Sequence, residues 1–227
     1  MKTSVLLSGC GVFDGAEIQE SVFTVLSLCQ NQMEYICISP NINQHHVINH
    51  LNGEEITQTR NVLEESARIV RGHITSLEKV DYNQLSSLVI PGGFGSAKNF
   101  SDWAFNGPNG IINNEVKQLI LHCIGHGKPI VTLCISPVLI AKALENSEQE
   151  AILTLGSTKE KSEYNIAEIH DAIMSLGQKT ENKLVSEIMY DEDLKIISAP
   201  CYMMDASIPE IYSNVKLAID KLKDVLN

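Results

Sequence analysis

KPIVTLCISP, residues Lys128–Pro137, reads as a buried strand running straight into a reactive turn. Ile130, Val131 and Leu133 form a short, β-branched-rich apolar run of the kind that a parallel sheet buries on both faces. The run starts after a Gly-Lys-Pro break and stops at Cys134. Ser136 suits an N-cap and Pro137 the first helical position, so a helix is expected to begin there. A thiol between a strand end and a helix start faces unpaired N–H groups and the positive pole of the helix dipole. Both favour thiolate over thiol. Cys134 is the candidate nucleophile.

The chain on either side of this stretch has the rhythm of a doubly wound sheet. Thr3–Ser8 is strand-like and leads into Gly9-Cys10-Gly11, a tight loop where backbone can approach a ligand closely. A helix follows with Ile18, Val22, Val25, Leu26 and Cys29 at helical spacing, expected to form its core-facing stripe. Tyr35–Ser39 is a second strand, closed by Pro40. Leu88–Pro91 is another, running into Gly92-Gly93-Phe94-Gly95. Strands alternating with helices predict an α/β fold with a mostly parallel sheet and helices on both faces. Further on, Ala151–Leu155 is expected as a strand and Ile166–Leu176 as a helix. Glu187–Tyr190 and Lys195–Ser198 are expected as a hairpin around an acidic Asp191-Glu192-Asp193 turn, and a terminal helix opens at Ser207. There are no repeats and no domain boundary, so residues 1–227 are expected to form one domain. The stretch at about 45–72 is too long and polar for a plain connection and is expected to be a lid-like insertion.

Composition narrows the function. The 227 residues are 44% hydrophobic and 20% charged, enough to bury a core. Net charge is −11 with no Lys/Arg cluster, which argues against nucleic acid and anionic membranes as partners. No apolar run approaches the ~18 residues that span a bilayer, and MKTSVLLSGCG reads as a first strand rather than a signal peptide. A cytosolic protein is expected. Its six cysteines lack zinc-type spacing and are expected to be reduced thiols. His122 and His126 stand at i, i+4 without a third ligand nearby, so a solvated helix face is the better reading and no metal is expected.

In a doubly wound sheet the loops at the strands' carboxyl ends share one crevice, which would gather the Gly9–Glu20 segment, the Gly92–Gly95 turn and Cys134. Backbone N–H groups of Gly93 and Ile135 would then be placed to receive an oxyanion. Glu17 and Glu20 lie three apart at the start of the first helix, and either one could face the thiol. A carboxyl beside a thiolate is held neutral by like-charge repulsion and burial, and can then donate a hydrogen bond. Both glutamates could equally be helix N-terminal carboxylates favoured by the dipole. Ile135 occupies the place of a histidine directly after the cysteine. His170, followed by Asp171 and Ala172, does not supply the His-x-Glu of a glutamine amidotransferase.

Taken together these residues resemble the ElbB branch of the ThiJ/PfpI superfamily. Its members are cysteine proteins related to the parkinsonism-associated deglycase and to class I glutamine amidotransferases. The resemblance lies in SGCGVFDGAEIQE (Ser8–Glu20), INHLNGEE (Ile48–Glu55), TRNVLEESARIVRG (Thr59–Gly72), PGGFGSAKNFSDWA (Pro91–Ala104), GKPIVTLCISP (Gly127–Pro137) and DEDLKIISAPCYM (Asp191–Met203). It implies a flavodoxin-like sandwich with Cys134 as the nucleophile-elbow cysteine and Glu20 as its thiol-contacting glutamate. Gly93 and Ile135 match the oxyanion-hole positions. Glu17, Cys10, Arg60 and Asn61 are further candidates for the substrate site. The resemblance also implies a homodimer and an isoprenoid-biosynthesis association. The implied activity is that of a glyoxalase independent of glutathione, acting without a cofactor on a small reactive aldehyde such as glyoxal to give glycolate. The alternative is a redox sensor whose Cys134 oxidises without turnover. Cys201 stands where the family pattern has a small apolar residue, and the deglycase's histidine beyond the elbow has no counterpart here.

Overall fold

Leu85–Ile90 and Ile130–Leu133, two short apolar runs, become neighbouring strands in the middle of a seven-stranded sheet. The computed structural model describes all of residues 1–227. The chain begins β1 (Lys2–Leu6), α1 (Ile18–Gln30), β2 (Tyr35–Ser39), α2 (Val62–Ile69) and β3 (Thr75–Ser76). It continues through β4 (Leu85–Ile90), α3 (Phe94–Lys98), α4 (Trp103–Asn106), α5 (Asn114–Gly125), β5 (Ile130–Leu133) and α6 (Pro137–Leu144). The last third is β6 (Ile152–Leu153), α7 (Ile166–Ser175), β7 (Lys179–Thr180), β8 (Met189–Asp191), β9 (Ile196–Ala199) and α8 (Ile208–Leu226).

The sheet order is β3-β2-β1-β4-β5-β9-β8, with every pair parallel except the β8–β9 hairpin. The chain winds outward from β1 to β3, then returns beside β1 as β4, so the winding reverses between β1 and β4. That reversal opens the crevice where doubly wound proteins bind ligands. Helices cover the sheet, α1 packing on α8 and α5 on α6, around one continuous apolar core. Every residue of α6 is buried, including Lys142, whose ammonium donates to the Pro108 carbonyl and to Glu145. This is the mostly parallel α/β sheet that the strand–helix rhythm predicts, in the flavodoxin-like arrangement that the resemblance implies.

Local expectations fail at three places. Most of the expected apolar stripe on α1 does not face the core: Ile18, Val22 and Leu26 are 45%, 44% and 42% exposed and Cys29 is exposed, while Val25 alone packs against the core. The buried face is instead Glu20, Ser21, Thr24, Ser27 and Leu28, of which the two serines and the threonine let the helix lie close on its neighbours. The expected Ala151–Leu155 strand shrinks to β6, which leaves the main sheet and pairs in parallel with β7. Asp191 does not belong to a solvated acidic turn. It is 3% exposed, accepting the Ile152 N–H at 2.8 Å and the Leu194 N–H at 3.0 Å, and so joins β6 to the β8–β9 hairpin.

The insertion is tied down rather than free. Asp14, itself buried, accepts the Ile48 N–H at 2.7 Å, and Asn99 accepts the His45 N–H at 2.8 Å. The same Asn99 donates to the carbonyls of Ser8 and Asp14, so the insertion, the loop after β1 and the turn after β4 share one hydrogen-bond node.

Replacing Asp191 with alanine leaves two amide donors without their carboxylate. The expected loss is about 2 kcal/mol, read as a lower urea midpoint at unchanged slope. An unchanged midpoint would show that water substitutes fully for this carboxylate.

Candidate active site

Cys134 stands at the carboxyl end of β5 with φ +58°, a left-handed conformation unusual for a residue with a side chain. Its N–H still pairs with the Ala199 carbonyl of β9 at 2.9 Å, so the turn is sharp but anchored to the sheet. The expected N-cap role of Ser136 is not what fixes it. Ser136 makes no side-chain cap. Its hydroxyl instead accepts the Leu133 N–H at 2.9 Å and lies 2.8 Å from the Ile90 carbonyl, clamping β5 to β4 beneath the thiol. Gly92 and Gly93 follow β4. A Cβ on Gly92 would come within 2.4 Å of the Cys134 Cβ and 2.6 Å of Glu20 Oε2. Only a glycine lets strand, thiol and carboxyl approach so closely.

The structure separates the two glutamates. Glu17 is the N-cap of α1, its Oε2 accepting the Glu20 N–H at 2.6 Å, and it does not line the cavity over the thiol. Glu20 is fully buried and hydrogen-bonded with Cys134. Its Oε2 accepts the Gly92 N–H at 2.8 Å and its Oε1 the Tyr202 N–H at 3.3 Å. Burial, reinforced by the Glu17 charge, raises its pKa to about 8, so it carries a proton at neutral pH.

Cys134 is also fully enclosed by its neighbours. Burial pushes the thiol up and the Glu20 charge pushes it further, while N–H groups of Gly93 and Ile135 hydrogen-bond the sulfur and pull it down. The strand-end and helix-start argument counted only the N–H groups; desolvation opposes them. Once Glu20 holds its proton, its raising effect disappears and leaves burial with the smaller Glu17 effect. The two groups therefore act as one proton-sharing pair.

The cavity above the sulfur has a volume of about 210 Å³. It is walled by Phe94, Trp103, Ile135, Tyr164, Ile169 and Tyr202, among other residues, and none of its lining side chains is a histidine or carries a charge. Most of these residues escaped the sequence reading because they come from separated segments without a polar signature. The one available signal was the aromatic content of PGGFGSAKNFSDWA, which holds both Phe94 and Trp103. Arg60 and Asn61, expected to reach in, do not line the cavity. Arg60 turns to Gln58 and to buried Glu65, and Asn61 caps α2 while donating to Asn41. Cys10 sits half-buried in its loop, where burial and Glu65 raise its pKa, and it too is absent from the wall. Cys201 is buried behind the elbow with φ +44° and accepts a hydrogen bond from the Cys134 N–H. His122 and His126 stack on one another at 4.0 Å on α5, away from this site. A larger cleft of about 670 Å³ lies between α1, β2 and the segment after α2, and it shares no residue with the thiol's cavity.

Sheet order, elbow and amide cradle together define the amidotransferase-like class of cysteine proteins. No family model matches the chain. A protein of Rattus norvegicus described as "ES1 protein homolog, mitochondrial" is 34% identical over 226 residues, covering 99% of this chain and 84% of its own length. The human "Glutamine amidotransferase-like class 1 domain-containing protein 3, mitochondrial" is 35% identical over 226 residues, covering 99% and 83%. A crystal structure of an isoprenoid biosynthesis protein with amidotransferase-like domain from Ehrlichia chaffeensis superposes with TM-score 0.90 at 30% identity over the whole of both chains. Drosophila melanogaster DJ-1beta, at 16% identity and TM-score 0.56 over 99% of this chain and 95% of its own, shares the fold. The chain belongs to the ES1 family of glutamine amidotransferase-like class 1 domain proteins.

The cytosolic expectation is corrected by the same comparisons, since the rat, human and zebrafish relatives are all named as mitochondrial. Reduced cysteines and a strand-like start describe any reducing aqueous compartment and do not single out the cytosol. No helix is long and apolar enough to cross a membrane.

Glu20 gives the protein a distinctive pH response. Its pKa rises from 4.5 to about 8 on folding, so between those values the folded state binds the proton that the unfolded state has lost. Its contribution to stability is full below about pH 4.5 and declines as pH rises to about 8. The urea midpoint of the wild type should fall more between about pH 5 and about pH 8 than that of Glu20→Gln. Parallel profiles for the two proteins would remove Glu20 as the buried titrating acid.

Proposed function

We propose that the protein is a cofactor-independent glyoxalase of the ElbB type, converting glyoxal to glycolate at Cys134. The observation that carries this reading is the pairing of a buried thiol with a buried carboxyl of pKa about 8, under two amide donors. A group with a pKa near the working pH can both give and take a proton.

The chemistry balances without an external oxidant. Once the pair has given one proton to solvent, with Glu20 keeping the other, the Cys134 sulfur adds as thiolate to the aldehyde carbon, and the C=O electron pair moves to oxygen, which the Gly93 and Ile135 N–H groups receive. Glu20 delivers its proton to that oxygen, giving a hemithioacetal. The resulting carboxylate removes the proton from the same carbon as electrons move onto the neighbouring carbonyl oxygen, the hydroxyl proton passes to that oxygen through the enediol, and Glu20 returns the carbon-derived proton to the adjacent carbon. One carbon is thereby oxidised to a thioester while its neighbour is reduced to an alcohol. Water then cleaves the thioester, releasing glycolate and the thiol. Burial supports this sequence because it keeps Glu20 neutral until the first step and strengthens each hydrogen bond to developing charge.

Cys134→Ala should abolish glycolate formation from glyoxal, and Glu20→Gln should lower kcat by about 10²–10⁴-fold. Full activity in Cys134→Ala would sink the proposal. The redox-sensor reading uses the same thiol and amide cradle. It would replace the glyoxalase if mild peroxide adds oxygen stoichiometrically to Cys134 in a sample that turns over no glyoxal, as read by intact mass.

The proposal includes a homodimer. The exposed apolar stripe of Ile18, Val22 and Leu26 on α1 supports it, because such a stripe gains by being covered. Light scattering should give twice the chain mass, and Val22→Glu should return the protein to a monomer with its glyoxal turnover retained.

A further inference from the structure

The cavity over Cys134 differs in character from the molecule it would hold in the glyoxal reaction. Glyoxal has only four heavy atoms, all of them part of the reacting carbonyls. The cavity's 210 Å³ corresponds to about seven waters at their liquid volume. Beyond the sulfur and its amide cradle, the walls are almost wholly apolar. Phe94, Trp103 and Ile169 present hydrocarbon, and Ile135 adds its side chain beside the N–H that faces the sulfur. The Tyr202 hydroxyl is already taken by the Gln19 amide oxygen. The wall therefore has no charged side chain for the carboxylate or ammonium of an amino acid, or for a phosphate.

Such a wall rewards a substituent that glyoxal lacks. One methylene in an apolar enzyme pocket changes discrimination by about 10–200-fold. Water held over Trp103 and Phe94 gains little from them, so displacing it with hydrocarbon is favourable. The reacting end needs the sulfur and the Gly93 and Ile135 amides, which line the cavity floor, and Glu20, which lies fully buried behind the thiol.

We infer that the site prefers 2-oxoaldehydes bearing an aryl group on the ketone carbon, which Phe94, Trp103, Tyr164 and Ile169 enclose while the aldehyde meets Cys134. This rests on the glyoxalase reading above and names its substrate class. The chemistry is the same as for glyoxal and equally balanced. The aldehyde carbon is oxidised to the acid, the ketone carbon is reduced to the secondary alcohol, and one water is consumed. With a phenyl substituent the product is a 2-hydroxy-2-aryl acid.

The test compares kcat/KM for phenylglyoxal and glyoxal in the wild type and in Ala104→Phe. Ala104 lies on the exposed rim of the cavity, where a larger side chain can enter it. The wild type should favour phenylglyoxal at least about tenfold, and Ala104→Phe should cut that ratio by at least about tenfold. Using a ratio cancels any general loss of folded protein. Cys134-dependent glyoxal turnover with a ratio at or below one, or a ratio that Ala104→Phe leaves unmoved, would overturn the inference and leave the glyoxalase reading standing. If neither aldehyde is turned over, the glyoxalase reading fails. Acetophenone, which has the aryl ketone but no aldehyde, then decides the character of the pocket. Saturable slowing of iodoacetamide labelling at the Cys134 peptide supports an apolar aryl carbonyl site, and no slowing at millimolar acetophenone overturns it.

Discussion

The close approach of Gly92 to Cys134 and Glu20 is the constraint on which the carboxyl edge of the sheet depends. Three separate segments meet there: the end of β4, the elbow after β5 and the first turn of α1. Their separation is set by the missing side chain, since a Cβ on Gly92 would stand 2.4 Å from one neighbour and 2.6 Å from another. Because the backbone comes so near, the Gly92 N–H can reach the Glu20 carboxyl and the Gly93 N–H can reach the Cys134 sulfur. Glycine thus supplies both the space and the donors. The cost is a positive φ at Gly93 and at Cys134, borne by strands paired on both sides of β5.

Electrostatics at this point is a contest between burial and hydrogen bonding, and burial prevails for both titrating groups. Glu20 accepts two backbone N–H groups, which alone would hold a carboxylate ionised, yet its full enclosure and the nearby Glu17 keep it protonated. Cys134 has two amides on its sulfur, yet enclosure raises its thiol. Neither group can be assigned a charge without the other. A pair of this kind passes a proton over a short distance, which is what the proposed carbon-to-carbon hydrogen transfer would use. The absence of a histidine from the cavity wall is consistent with that division of labour.

The insertion of residues 45–72 shows how a polar segment can serve a buried site without entering it. Its hydrogen bonds run to Asp14 and Asn99, the residues that also brace the loops after β1 and β4. Two of its three arginines, Arg60 and Arg68, converge on Glu65. Arg60 looked available from the sequence because a charged residue in a long insertion has no visible partner. In the fold that partner lies five positions further along, and is buried.

What the sequence determined by itself was whatever is encoded locally. Continuous apolar runs ending in glycine or cysteine located β4 and β5, and the strand–helix alternation determined the parallel sheet and hence one shared crevice. The motif at Cys134 pointed to a nucleophile because a strand end and a helix start are both readable in ten residues. The residues by themselves left Glu17 and Glu20 open and the resemblance favoured Glu20; the tertiary structure supplies the reason, since packing buries Glu20 and leaves Glu17 as a cap. Tertiary structure also reversed the α1 stripe, because the sheet-facing side of that helix needs small residues for close approach more than it needs apolar ones. The cavity wall could not be read at all, since Val12, Phe94, Trp103, Tyr164, Ile169 and Tyr202 are distant in sequence and join only where the sheet's winding reverses. A local pattern can specify a reactive atom. The shape and polarity of the space around it belong to contacts between segments, and those exist only once the chain has folded.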